Sequence, residues 1–424
     1  MKKLVRNFNQ DNIVNDILKI LSIQSFTDDP LGIEKCQNFV ALLATQMGFD
    51  VSKHGKGKVL VISPQALSGT PALGIVVHLD TVPFAKKQWN YNPLGEIANG
   101  RIYGRGVLDD KAAIILAMHA FKSLEHEIQP SWQIIIGSSE ESEWTDMKAF
   151  LEEKPVLPKF MVTVDGDGVQ NGCRGCLNLV LAFNRKPGSK TLEQLYIPAG
   201  VENIVPDMAT ATVNGNWIFE RGVSVHSSIP EKGQNAFLHL VKRLSADASI
   251  TREFPHFFNL MEILQKENCA QLLGFAPDTS MCPTKCTLAK DTISMNLNIR
   301  LGSSTTKENL FDVLQHLTKT YRCFMSTSTL TFPSYVSEDS KEIELLCLSY
   351  EKVIGKSTVP NIARGLGYNA ALPNCAIFGP RFASEDDEPD TCHGVDENRK
   401  IEDLMKFFEM LSIFICEYLK SDCS

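Results

Sequence analysis

An apolar run from Leu73 to Val77 ends on His78, and Asp80 follows two residues later. Strand periodicity sends residues i and i+2 to one side, so the Asp80 carboxylate can sit behind the His78 ring. A carboxylate in that position fixes the tautomer of a metal-ligating imidazole. Three further sites supply donors at the ends of other apolar runs. Gly104-Arg105-Gly106-Val-Leu-Asp109-Asp110-Lys111 presents Asp109, and Ser138-Ser139-Glu140-Glu141 follows the run Trp132–Gly137. Asp165 closes the run Phe160–Val164, and His393 lies in Asp390-Thr-Cys-His393-Gly-Val-Asp-Glu397.

His78, Asp109, Glu141, Asp165 and His393 are all nitrogen or oxygen donors, and such a set suits two divalent ions if one carboxylate bridges. Asp109 as the bridge, His78 and Asp165 on one ion, and Glu141 and His393 on the other balances the two halves. Paired ions activate a shared water, lowering its pKa from ~15.7 to ~7, and polarise a carbonyl. Adjacent residues of a strand cannot both face one ion. Glu140 is therefore free to take the water's proton as general base, worth about 10²–10⁴ in rate.

Each residue also has a plainer role. A strand-end histidine can be a hydrogen-bonded core residue, adjacent glutamates can be solvated, and Asp109-Asp110 can cap the helix beginning at Lys111. The joint order at strand ends favours the metal centre. Cys173-x-x-Cys176 with Cys282-x-x-x-Cys286 offers a second zinc site, but neither pair has a nearby histidine and plain thiols are the better reading. Gly355-Lys-Ser-Thr imitates the end of a phosphate loop, yet the required earlier glycine is Tyr350. No Gly-x-Ser-x-Gly elbow is present.

The elements that must position these residues alternate. Helical spacing marks Asn12–Ile23 (capped by Asp11 or Asn12), Ile33–Met47, Lys111–Leu124 and Asp146–Glu152. Strands are expected at Val59–Ile62, Leu73–His78, Trp132–Gly137 and Phe160–Val164. From about Arg174 the pattern changes to strands at Leu177–Phe183, Ala209–Val213, Trp217–Val225 and Ile293–Leu301, with helices at Ala236–Leu244, Phe257–Glu267 and Lys307–Leu317. The first rhythm returns with Ser340–Ile354, Ala376–Phe378 and a helix from Glu402. An α/β fold is expected, with an α+β domain at 174–330 inserted between 1–173 and 331–424. A chain of 424 residues suits two domains.

A net charge of −8 without a basic run excludes a nucleic-acid binder. No apolar stretch is long enough to cross a bilayer, because Phe407–Leu419 is broken by Glu409 and Glu417. The start lacks the apolar core of a signal peptide, and twelve scattered cysteines suit reduced thiols, so a cytoplasmic location is expected. The acidic run Glu385-Asp-Asp-Glu388 reads as an exposed loop.

These motifs resemble the metallopeptidase family of carboxypeptidase G, aminoacylase-1, acetylornithine deacetylase and succinyl-diaminopimelate desuccinylase. They are most similar to its bacterial Xaa-His dipeptidase branch, over nearly the whole chain. The resemblance implies a di-zinc exopeptidase catalytic domain, a central mixed sheet flanked by helices, with an inserted α+β lid. It implies the same five ligands, Asp80 as orienter and Glu140 as base. It also implies that His226, in Val-Ser-Val-His226-Ser-Ser, stabilises the oxyanion, and that Asn203 and Arg300 bind substrate. A donor and a cation brought to a polarised carbonyl would stabilise developing charge and clamp a terminal carboxylate.

Three departures stand out, the first being Ala112-Ala113 after Lys111, where the family usually has glycine. Gly365-Leu-Gly-Tyr-Asn-Ala-Ala371 replaces the family's Gly-Gly-Thr-Tyr-Ala-Arg, and the stretch from Arg381 to Asp390 is longer and more acidic than expected. The expected function is hydrolysis of an amide bond in a dipeptide or short peptide, using zinc, with manganese or cobalt as substitutes. The chain is expected to act as a monomer or homodimer, without membrane or nucleic-acid partners. N-acyl-amino-acid deacylation by the same machinery is the alternative, and a non-catalytic metal-stabilised binding protein is the alternative from another class. Retention of Glu140 speaks against the last, because holding metal does not need it.

Overall fold

The computed structural model describes residues 9–188, 190–198, 201–381 and 391–421. The chain divides into two compact units, one of residues 1–172, 335–363 and 367–424 and the other of residues 173–334 and 364–366. The second is thus inserted in the sequence of the first. Among the described residues no helix is long and apolar enough to cross a membrane.

The first unit is built on a nine-stranded mixed sheet. Its four central strands, Trp132–Gly137, Leu73–His78, Phe160–Thr163 and Cys375–Pro380, lie side by side and parallel. Both faces of these strands are covered. Ile75, Val77, Ile134, Ile136, Phe160, Val162, Ala376 and Phe378 share one core with the helices Lys111–Leu124 and Ile401–Ser421. The alternate residues Val76, Ile135, Met161 and Cys375 form another with Met147, Phe150, Tyr368 and Leu372. Strands buried on both faces read as continuous apolar runs, which is why this part of the sequence is so legible. Parallel strands also deliver their carboxyl ends to one edge, where ligand-binding loops gather. His78 ends one strand, and Glu140, Asp165 and Arg381 stand just beyond the ends of the other three.

The second unit holds a seven-stranded antiparallel sheet. Leu177, Leu179, Leu181, Phe183, Ile293, Met295, Leu297 and Ile299 pack from it against the helices Ala236–Leu244 and Pro255–Leu264. The fold is therefore α/β with an inserted α+β domain.

Several boundaries shift for local reasons. The first helix is Gln10–Leu21, capped not by Asp11 or Asn12 but by the Asn9 side chain, which accepts from both their N–H groups. The strand expected to reach Val225 stops at Arg221, and the helix expected over Phe257–Glu267 spans Pro255–Leu264 with proline in its first turn. Asp110 precedes the Lys111 helix without capping it, and its carboxylate accepts from the His78 N–H instead (3.3 Å). The strand Ser280–Ala289 escaped sequence reading because Pro283 sits in it, tolerated at a register shift between Pro283 and Lys285. Gly355, from the phosphate-loop imitation, is a helix C-cap at φ +76°. The acidic run Glu385–Glu388 and most of the Arg381–Asp390 stretch lie outside the described residues.

Candidate metal centre

His78 is buried, and its ring is held from both sides. Nδ1 lies 3.0 Å from the main-chain carbonyl of Asp80 and 3.3 Å from the Asp80 carboxylate. The main-chain oxygen, which sequence reading missed, is thus the nearer acceptor fixing the tautomer. Nε2 faces Asp109 Oδ1 at 2.8 Å and Asp165 Oδ2 at 3.8 Å. Asp109 divides its oxygens, because Oδ2 lies 3.1 Å from Nε2 of His393. That same Nε2 is 2.9 Å from Glu141 Oε1. One carboxylate therefore spans two half-sites, His78 with Asp165 and His393 with Glu141. The Glu140 carboxylate lies with His78 and Asp165, donor atoms within 4.8 Å of one another. Cys392, not foreseen from sequence, joins the other half, with Sγ 3.1 Å from Asp109 Oδ2.

The loops are fixed by groups that carry no chemistry themselves. Asp80 Oδ1 accepts from the Glu140 N–H at 3.1 Å, and Oδ2 accepts from the Glu141 N–H at 3.2 Å and from Thr27 Oγ1 at 2.8 Å. Asp80 thereby positions two segments at once. Asp146 accepts from the Ser138 and Ser139 N–H groups (2.5 and 3.1 Å) and from the Tyr368 hydroxyl. Buried Glu397 accepts from the N–H groups of Gly106 and Leu108 (3.1 and 2.9 Å) and pairs with Arg105 at 2.5 Å. Arg105 in turn donates to the main-chain carbonyls of His393 and Gly394 (3.1 and 3.0 Å). The Asp109 and His393 loops are thus tied through Arg105 and Glu397. Both residues lie inside the quoted motifs, and their alternation with the ligands was the available signal. Gly379 lets its strand approach the Asp165 loop, since a Cβ there would meet Gly166 backbone at 2.0 Å.

Electrostatics reflect the crowding of carboxylates. Burial, reinforced by Asp165, Asp109 and Glu141, raises the Glu140 carboxyl well above the usual carboxylate range. Burial raises Glu141 too, partly offset by its hydrogen bond to His393. Burial alone would lower both His78 and His393, but their carboxylate partners win. His78 is held well above the histidine range and His393 is pushed up to about 10. Asp109 is held well below its ordinary value, because the two imidazoles outweigh its burial. Two Nε2 atoms converging on the two oxygens of one carboxylate, in a site this rich in negative charge, fit divalent cations.

In the second unit, His226 Nδ1 accepts from the Ser228 N–H at 3.2 Å and lies 2.6 Å from Ser228 Oγ. Its Nε2 is 3.5 Å from an Arg300 nitrogen. Burial and the Arg300 charge lower its pKa to about 4. Arg300 is buried on the strand Thr292–Leu301, and its Nε has no hydrogen-bond partner among the described residues. Asn203 is exposed in a turn whose carbonyl accepts from the Ser227 N–H at 2.8 Å. These three residues belong to one neighbourhood. The four cysteines considered for a second zinc site do not form a metal-binding group among the described residues. Cys282 accepts from Asn235, and Cys173 lies beside Ser334.

The comparisons agree with this architecture. "Putative dipeptidase YtjP" of Bacillus subtilis is 26% identical over 396 residues, covering 83% of this chain and 84% of that protein. Among solved structures, human carnosine dipeptidase 1 superposes with a TM-score of 0.61 at 14% identity, covering 97% of this chain and 96% of the other. The aminoacylhistidine dipeptidase of Vibrio alginolyticus gives 0.61 at 15% identity, with 97% of each chain covered. The sequence profile of peptidase family M20/M25/M40 matches residues 74–417, a span that begins just before His78 and ends beyond His393. The chain therefore belongs to peptidase family M20/M25/M40 and is a metal-dependent hydrolase of peptide bonds.

Proposed function

We propose that the chain is a cytoplasmic dipeptidase that uses two zinc ions, replaceable by manganese or cobalt. The observation that carries this reading is the division of Asp109 between His78 and His393, with Glu140 beside the His78 half. His78 and Asp165 would hold one ion, Glu141 and His393 the other, and Asp109 both. When bound, such ions supply Lewis acidity to the peptide carbonyl and to the attacking water.

The remaining work falls to side chains. Glu140, whose buried carboxyl has a raised proton affinity, takes the proton from the attacking water and returns it to the departing amine nitrogen. In His226 the Ser228 N–H occupies Nδ1, so Nε2 carries the hydrogen of the neutral ring and donates to the carbonyl oxygen as its charge grows. Arg300 pairs with the substrate carboxylate, aided by the Asn203 side chain. Free dipeptides as substrates are supported by the names of the relatives.

Purified protein supplied with zinc or manganese should cleave members of a dipeptide panel and leave N-acyl amino acids intact. Amine release followed by chromatography reads the result. Cleavage of the N-acyl compounds alone would establish a deacylase instead, and inertness of the metal-loaded protein toward both would remove the catalytic reading.

A further inference from the structure

Arg381 stands immediately after the strand Cys375–Pro380, at the edge where the metal-site loops gather. Its guanidinium enters the donor cluster. Nη1 lies 3.0 Å from Asp165 Oδ1 and 3.8 Å from Asp109 Oδ2, and Nε lies 3.1 Å from Asp167 Oδ1. Nη1 also points to Cys392 Sγ at 3.5 Å. The side chain is only 21% exposed, so bulk solvent screens these pairs weakly. An arginine keeps its charge at any working pH, and its planar fork holds several oxygens at fixed angles.

The guanidinium touches both half-sites but lies nearer Asp165 (3.0 Å) than the Asp109 oxygen that faces His393 (3.8 Å), so its charge weighs more on the His78–Asp165 half. Asp165 turns Oδ2 toward His78 and Oδ1 toward the guanidinium. Among the described residues, Glu141 on the other side pairs with His393 and with no lysine or arginine. We infer that Arg381 is a built-in counter-cation of the His78–Asp165 half, so that this half takes its divalent ion less tightly than the Glu141–His393 half. Two physical effects act together. The guanidinium already neutralises much of the carboxylate charge that would attract the ion, and it repels the incoming dication at short range. It also forms an ion pair with Oδ1 of Asp165, although that oxygen accepts no hydrogen bond, while Oδ2 stays turned toward His78. The ions therefore load in order, the Glu141–His393 half first.

The inference rests on the two-ion reading above, and metal binding by the intact, metal-free chain separates the two. Equilibrium dialysis against zinc, with elemental analysis, should give two ions per chain with affinities at least about tenfold apart. Arg381→Gln should tighten the weaker class by about tenfold and the tighter one by distinctly less. Arg381→Lys, which keeps the charge, should preserve much of the gap. Two ions of equal affinity in the parent chain would overturn the inference without any variant. So would an Arg381→Gln protein, folded by circular dichroism, whose weaker ion is held no more tightly. A parent chain that binds no ion, or one only, would overturn the two-ion reading itself.

Discussion

His393 and His226 are the same residue in opposite surroundings. His393 presents Nε2 to two carboxylates, Asp109 and Glu141, which overcome burial and push its pKa up to about 10. His226 lies in the other unit, where burial and the Arg300 charge lower it to about 4. A ring among carboxylates attracts positive charge, whether proton or metal ion. A ring beside a guanidinium stays neutral and keeps one N–H to donate. The environment, and not the residue type, makes one histidine attract positive charge and keeps the other neutral.

The largest expected effect probes a further division within the first unit, between holding ions and moving protons. Glu140→Ala should lower kcat by about 10²–10⁴ while elemental analysis still finds the parent's metal content. Glu140 sits in the His78–Asp165 group, so metal loss in the variant would make it a ligand rather than a base. Unchanged turnover would end the proton-transfer role.

The second effect tests the neutral histidine. His226→Ala should reduce kcat by about 10²–10³ with metal content unchanged. Its titration has a definite sign. The folded pKa of about 4 lies below the ordinary histidine value of 6.5, so folding favours the neutral ring. That contribution to stability is complete above about pH 6.5 and is lost as pH falls toward 4. Ring resonances of the intact protein followed by NMR should keep His226 neutral at pH 5, and Arg300→Gln should raise its midpoint. A midpoint near 6.5 in the parent would remove the contrast with His393.

The two units also differed in how much of them the sequence disclosed. Parallel strands buried on both faces announce themselves as unbroken apolar runs, and Leu73–His78 and Trp132–Gly137 have the bounds expected for them. An edge strand exposed on both faces, such as Phe324–Thr331, carries no such pattern. In the site, donors at strand ends were legible because topology alone gathers them. Groups that act through the backbone were not. Asp146 holding the Ser138–Ser139 turn, and Glu397 holding Gly106 and Leu108, depend on loop conformations that no periodicity encodes. Arg381 was hidden for the same reason, since its partners Asp165 and Asp109 lie far away in sequence.

The smallest expected effect concerns Asp80, which acts on the metal centre only through other groups. Its Oδ1 accepts from the Glu140 N–H and lies near His78 Nδ1, and its Oδ2 accepts from Thr27 and the Glu141 N–H. Asp80→Asn preserves the shape but must turn an NH₂ toward one of these donor sets, leaving that side without an acceptor. Metal affinity should fall by about 10–100-fold. The lower end is favoured, because the nearer partner of His78 Nδ1 is the Asp80 main-chain carbonyl, which the substitution leaves in place. The displaced Glu140–Glu141 segment should make kcat fall even when excess zinc restores full occupancy. If zinc rescue returned kcat completely, Asp80 would be acting on His78 alone, and its hold on the Glu140 backbone would have no part in catalysis.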